Sequence, residues 1–191
     1  MKKFIMALAS AIVLFPNSVK AQDDKAGVRG VLGIEVSVDR AQLSDGYDSI
    51  VADTLASVTV SAGAKVADAF SLTAFMQKSA EQEQTYGPLS TTASFYAAGM
   101  DFTGHVSVTE NFDFLLGLGF GYYNFKLDSN FWYLSGTEDH VGLRIGAGVE
   151  YRLNDSVALT GMVRYIAFDY DEYVDAVENM AEASVGLKFY F

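Results

Sequence analysis

The chain has 191 residues, with thirteen lysines and arginines, twenty-four acids, two histidines and no cysteine, for a net charge of −11 at pH 7. An acidic balance of that size argues against nucleic acid as a partner, and the lack of cysteine excludes a disulfide framework and thiolate chemistry. Half the residues are hydrophobic, yet after residue 21 no apolar run approaches the roughly twenty residues that a spanning helix needs.

The chain opens as an address. Lys2 and Lys3 form a positive start, Phe4 to Phe15 an apolar stretch, and Val19 with Ala21 places small residues before a cut preceding Gln22. The apolar stretch is short for a membrane helix, and Pro16 follows it at once. Residues 1–21 therefore read as a cleaved signal peptide, and residues 22–191 as one domain. Cleavage takes away three of the thirteen basic residues and no acid, leaving ten against twenty-four and a net charge of −14.

From there the hydrophobicity alternates with period two, in eight segments of about 10 to 14 residues, close to the length a tilted strand needs to cross hydrocarbon. Gly27 to Arg40 sets Val28, Leu32, Ile34, Val36 and Val38 against Arg29, Glu35 and Ser37. Leu55 to Val66 sets Val58, Val60, Ala62 and Val66 against Ser57, Thr59, Ser61 and Lys65. Phe70 to Lys78 and Phe95 to Val106 continue the pattern. In Phe112 to Leu127 the residues Phe112, Phe114, Leu116, Leu118, Phe120 and Tyr122 oppose Asp113, Gly117, Gly119 and Gly121. Val141 to Leu153, Val157 to Phe168 and Ala181 to Phe191 complete the set.

The connections alternate between short and long. "KVADAFSLTAF" from Lys65, "HVSVTENFDFLLGL" from His105 and "YRLNDSVALTGM" from Tyr151 each hold Asp, Glu or Asn in a tight turn, spaced roughly 40 residues apart. Four longer polar connections lie near residues 41–54, 79–94, 128–140 and 169–180. Short turns at one rim and long loops at the other are expected of a transmembrane barrel. A soluble ligand-binding barrel would need a charged exterior, but the polar face is mostly Gly, Ser, Thr and Ala, which suits a crowded interior. Aromatics gather in two belts, as two membrane interfaces select: Phe70, Phe102, Phe112, Tyr151, Phe189 and Phe191 near the short turns, Tyr96, Tyr122 and Tyr165 towards the loops. The expected fold is an all-β, eight-stranded, antiparallel up-and-down transmembrane barrel.

These eight segments, the repeated turns and the terminal "VGLKFYF" resemble the small eight-stranded outer-membrane barrels of the OmpX and OmpA transmembrane type, over about residues 26–191. The resemblance implies the outer membrane of a Gram-negative bacterium, with surrounding lipids that include lipopolysaccharide. It also implies that the outer-membrane insertion machinery reads Phe189 and Phe191 as an assembly signal. The family's functions are diverse, so the resemblance fixes architecture more than role.

An eight-stranded barrel is only wide enough for side chains to fill it. Its inward face carries Arg29, Lys65, Arg144, Arg152, Arg164 and Lys188 with Glu35, Asp101, Asp113, Glu150 and Glu182, nearly balanced, as a low-dielectric interior requires. Glu35, Arg164 and Glu182 fall at one height on three adjacent strands and are expected to form a plug with Arg144.

Several patterns carry less. The glycines of "GLGFGYY" and "GAGVEY" recur at every second strand position with no helix following, so they make no phosphate loop. His105 with Ser107 resembles the His-x-Ser of outer-membrane lipid A deacylases, but it lies at the wrong rim. Ser135, Asp139 and His140 stand at the outer rim, yet adjacent Asp139 and His140 point to opposite faces of a strand. The loops are acidic, and "DYDEYVD" offers carboxylates that a divalent ion bridging lipids could use, but carboxylates alone do not specify a metal site. No cofactor, metal or catalytic residue is assigned. Arg40, Lys78 and Lys126, where strands enter loops, are placed to meet lipid phosphates. Loop aromatics favour protein contact: Trp132, Tyr133, Tyr170 and Tyr173 are the candidate contacts with a surface partner the sequence does not name. The expected role is structural or surface-interacting, adhesin-like in its sharper form, without catalysis. The alternatives are a small gated pore and an outer-leaflet lipid-modifying enzyme.

Overall fold

A computed structural model describes residues 27–43, 51–66, 69–131, 135–169 and 177–191. The predicted signal segment lies outside them, as do Trp132, Tyr133, Tyr170 and Tyr173. The described residues form strands and no helix: β1 (Val28–Leu43), β2 (Thr54–Val66), β3 (Phe70–Ser79), β4 (Gln82–Tyr86), β5 (Leu89–Thr109), β6 (Phe112–Ser129), β7 (Gly136–Asn154), β8 (Val157–Phe168) and β9 (Val177–Tyr190).

Every neighbouring pair is antiparallel, and the order closes on itself. β1 pairs with both β2 and β9, and β3 pairs with both β2 and β5. Of the nine strands only β4 stands outside the ring, leaving the eight that the periodicity predicts. The seam is carried to the last residue, where Gly30 N donates to Phe191 O at 2.7 Å and Phe191 N returns a bond to Gly30 O at 3.1 Å.

The alternation is inside-out. On β1, Glu35, Ser37 and Asp39 are buried, while Leu32, Ile34, Val36 and Val38 are 46–54% exposed. A soluble barrel has the reverse arrangement. Here apolar side chains form the outer wall and polar ones are withdrawn from it, which is stable only if hydrocarbon surrounds the wall. The outer wall ends in rings at both levels: Phe70, Phe102, Tyr151 and Phe189 towards the short turns, Tyr96, Tyr122 and Tyr165 towards the loops, all exposed.

The short turns follow their sequence chemistry. Between β7 and β8, Asn154 Oδ1 accepts from Ser156 N at 2.9 Å, an Asx turn that satisfies the corner backbone. Between β5 and β6 a threonine does the same work, with Asn111 N donating to Thr109 Oγ1 at 3.4 Å.

One long connection differs from the expectation. The region near 79–94, read as a polar loop, is a hairpin in which β4 pairs with the start of β5 from Gln82↔Ala93 to Tyr86↔Leu89. Four of the five residues of Gln82–Tyr86 are exposed and the other half-buried, so they show no apolar alternation. Gly87, with φ of 59°, and Pro88 make the two-residue corner. Positive φ at the first corner suits glycine, and the fixed φ of proline suits the second. β5, β6 and β7 are the longest strands, at 21, 18 and 19 residues, and with β4 they raise one side of the barrel beyond the rest.

Candidate functional site

The interior is built in three layers, each assembled from the inward positions of several strands. The central layer holds all four residues of the predicted plug. Arg164 on β8 forks onto Glu35 of β1, with Nη1 to Oε2 at 3.0 Å and Nη2 to Oε1 at 3.3 Å. The same Nη1 bonds Glu182 of β9 and reaches Ser184 Oγ at 2.9 Å. Arg144 on β7 meets Glu182 through Nη2 at 3.4 Å, stands 3.7 Å from Asp101 and lies 4.0 Å above the Phe75 ring. Charge-assisted and bidentate bonds of this kind hold a buried guanidinium in one orientation.

Two members of this layer were missed by the charge-based reading. Gln77 on β3 donates from Nε2 to Ser57 Oγ at 2.8 Å, Glu182 Oε2 at 3.0 Å and Asp39 Oδ1 at 3.2 Å; being neutral, it drops out of any charge count. Asp39 is fully buried and faces Glu182 directly across the β1–β9 ladder. Its signal was present, since Asp39 shares parity with Glu35 and Ser37, but a charge beside Arg40 resembles a strand end.

The layer towards the short turns is a second cluster. Arg152 Nη2 donates to Asp113 Oδ2 at 2.8 Å, and Lys65 Nζ stands 3.7 Å from both Asp113 and Glu150. Lys188 lies 3.6 Å from Glu150, and Tyr190 donates its hydroxyl to Glu150 Oε2 at 2.7 Å. His105 Nε2 is 3.2 Å from Ser71 Oγ, and its Nδ1 is 3.7 Å from Asp113. His105, Asp113 and Glu150 bring donor atoms within 4.8 Å of one another, a set that suits a divalent ion by type. Lys65, Lys188 and Arg152 already outnumber the two carboxylates there. The Lys65 ammonium is the resident cation, and a metal would have to displace it.

The outer layer is apolar. Phe95, Tyr123, Phe125 and Phe168 pack with centroids 5.0–6.4 Å apart, Tyr123 stacked on Phe125, Phe168 edge-on to both and Phe95 tilted against them, and His140 joins them at 5.8 Å from Phe125 and 5.4 Å from Phe168. Asp139 points the other way, held by Asn124 Nδ2 at 2.5 Å. Ser135 Oγ bonds Ser129, donating to its carbonyl and accepting from its N–H. Ser135, Asp139 and His140 therefore face different groups and form no nucleophile relay. His105, sealed inside the barrel while Ser107 is exposed, is likewise no deacylase pair at an outer leaflet.

Beyond the wall the rim is acidic. Among the described residues it carries Asp53, Glu81, Glu83, Asp128, Glu138, Asp139, Asp169 and Glu178 against Arg40, Lys78 and Lys126. Two of the three bases are engaged locally, Arg40 with Asp53 at 3.2 Å and Lys126 with Asp128 at 2.5 Å. The Asp128 hydrogen bond holds the Lys126 ammonium above its usual range. Hydrogen bonds from Asn124 and then Tyr122 hold the Asp139 carboxyl below its own.

An inside-out ring of antiparallel strands with a filled charged interior is an integral outer-membrane barrel. The chain belongs to the outer membrane protein beta-barrel domain family, whose model matches residues 7–191, and it resides in the outer membrane of a Gram-negative bacterium. A search of curated proteins by sequence finds no match. Solved structures show the same fold at low identity. Ail, the attachment invasion locus protein of Yersinia pestis, is 13% identical with a TM-score of 0.60, covering 85% of this chain and 98% of its own. Neisserial surface protein A is 16% identical with a TM-score of 0.64, covering 88% and 100%. A major outer membrane protein of Thermus thermophilus is 12% identical with a TM-score of 0.52, covering 84% and 99%.

Proposed function

We propose that this barrel is a surface-interaction protein, adhesin-like in kind and without catalysis, whose contacts are made at the outer rim. The observation that carries the reading is the sheet raised by β4, β5, β6 and β7. Among the described residues β4 ends the strand order, and a terminal strand is a template for adding a partner strand. Tyr86 and Phe131 are exposed on this raised side, and Trp132, Tyr133, Tyr170 and Tyr173 extend the contact set. The name of Ail speaks of attachment and invasion, and that protein has been seen in complex with the heparin analogue sucrose octasulfate. The acidic rim here repels sulfated glycans, so the partner is neutral or basic.

Inside the membrane, the Glu35, Arg144, Arg164 and Glu182 network is the plug that keeps the barrel closed, which sets the reading against a small gated pore. Lipids, lipopolysaccharide among them, surround the wall. Phe189 and Phe191 form the signal for the insertion machinery, after removal of residues 1–21. Replacing residues 81–93 by an Asn-Gly turn between Ala80 and Ser94 removes the raised hairpin. Bacteria bearing that variant should keep a folded barrel and lose attachment to epithelial cells and matrix proteins. Attachment equal to wild type would sink the assignment.

A further inference from the structure

Asp39 is fully buried, yet among the described residues no lysine, arginine or histidine forms an ion pair with it. On β9 it faces Glu182 directly in the ladder, and like charges placed directly opposite repel. On β2 it faces Leu55, with Ser57 the next inward residue. On β3 the Gln77 amide gives it a hydrogen bond, 3.2 Å to Oδ1. The other charged groups of this layer are Glu35 on the same strand, Asp101 on β5, Arg144 on β7 and Arg164 on β8. Both guanidiniums are engaged elsewhere, Arg164 with Glu35 and Glu182, Arg144 with Glu182 and Asp101. The layer thus sets four acids, Glu35, Asp39, Asp101 and Glu182, against two bases.

Hydrogen-bond donors are short as well. The Gln77 amide nitrogen carries two hydrogens but lies near four oxygens: Ser57 Oγ at 2.8 Å, Glu182 Oε2 at 3.0 Å, Asp39 Oδ1 at 3.2 Å and Ser37 Oγ at 3.5 Å. Ser37 and Ser57 share one hydrogen bond at 2.6 Å, which uses one of their two hydroxyl hydrogens. Two buried oxygens of the group, Asp39 Oδ2 and Gln77 Oε1, have no hydrogen bond. An ionised Asp39 would be a buried anion with no counter-ion beside it and too few donors.

We propose that Asp39 and Glu182 hold a single proton between them across the closing seam. Glu182, touched by two guanidiniums, keeps its negative charge. Asp39 carries the hydrogen as a carboxylic acid and supplies the donor that the group lacks. One hydrogen removes a buried anion and ends the repulsion between β1 and β9. It comes from water and returns to water, so nothing is oxidised or reduced. Folding in neutral medium then takes up a proton that the exposed aspartate of the unfolded chain gives up above about pH 4, so raising the pH weakens the seam.

The test uses the full barrel in phosphatidylcholine vesicles, with infrared spectroscopy reading the carbonyl band of un-ionised carboxyl groups. At neutral pH the wild type should show that band, and isotopic labelling of the aspartate side-chain carboxyls should shift it. Asp39→Asn keeps the shape and adds a permanent N–H donor. It should lose the labelled band, keep its heat-modifiable gel migration and unfold at a urea concentration no lower than wild type. Asp101→Asn should retain the band. In alkaline buffer the wild-type band should fade and its urea midpoint should fall further than that of Asp39→Asn. A wild type without the band, a band that ignores the aspartate label, one undiminished in Asp39→Asn or lost in Asp101→Asn, or equal alkaline falls in midpoint would overturn the proposal. Should Asp39→Asn not fold, the labelled wild type and Asp101→Asn decide.

Discussion

Arg164 touches Glu35 and Glu182 at once, so one side chain neutralises carboxylates from two strands that lie on either side of the seam. Replacing it by Leu leaves both acids in a low-dielectric interior, with Arg144 the one guanidinium still beside Glu182 among the described residues. The expected cost is about 3–5 kcal/mol, measured by urea unfolding in lipid vesicles followed by circular dichroism. Adding Glu35→Gln to Arg164→Leu should recover part of that loss, because one of the stranded charges goes with it. Additive losses would show that the pair is not coupled. The sequence made this layer legible because parity and height are both countable along a strand. Gln77 escaped because it has no charge to count, and the Lys65, Asp113, Glu150 and His105 grouping escaped because heights drift around a tilted ring. Asp39 shows a further limit: its position follows from parity, but its burial against Glu182 does not.

On the strands themselves, glycine marks where the wall is tightest. A Cβ at Gly99 on β5 would strike the Phe120 carbonyl and lie 2.8 Å from Phe75 Cε1, whereas one at Gly104 on the same strand meets nothing nearer than Leu116 O at 3.8 Å. Gly99→Ala should therefore cost about 1–3 kcal/mol, while Gly104→Ala should stay within about 0.5 kcal/mol of wild type. Equal unfolding midpoints for the two variants would contradict the crowding. Strand existence was readable from period two, but strand ends were not. β5 starts at Leu89 and β7 at Gly136, earlier than the apolar alternation begins, because these strand starts carry polar residues on both faces, Ser90, Thr91 and Thr92 on β5 and Thr137, Glu138 and Asp139 on β7, and so offer no apolar period even where Thr91 is buried. β4 stayed invisible for the same reason.

For the molecule as a whole, adding Asp39 to the interior acids gives six acids facing the six bases Arg29, Lys65, Arg144, Arg152, Arg164 and Lys188. The central layer is rich in carboxylates and the lower layer in cations. With the lumen filled by these layers and capped by rings, purified protein in planar bilayers should show no large steady conductance; a persistent open level would refute the plug. Removing Phe191 takes away the last pair of bonds to Gly30 and the ring that a Cβ at Gly30 would strike. The truncated chain should accumulate outside the membrane in cells while refolding in detergent nearly as well as wild type. Normal insertion would show that the terminal residue is only structural.

The bonds between Gly30 and Phe191 also set an order in time. β1 is synthesised first, yet its partner β9 is made last, and closing so long a loop is slow and leaves edges bare meanwhile. For the whole of its export the first strand waits with an unfilled side, and its oily residues must be shielded by something other than the barrel they will eventually complete.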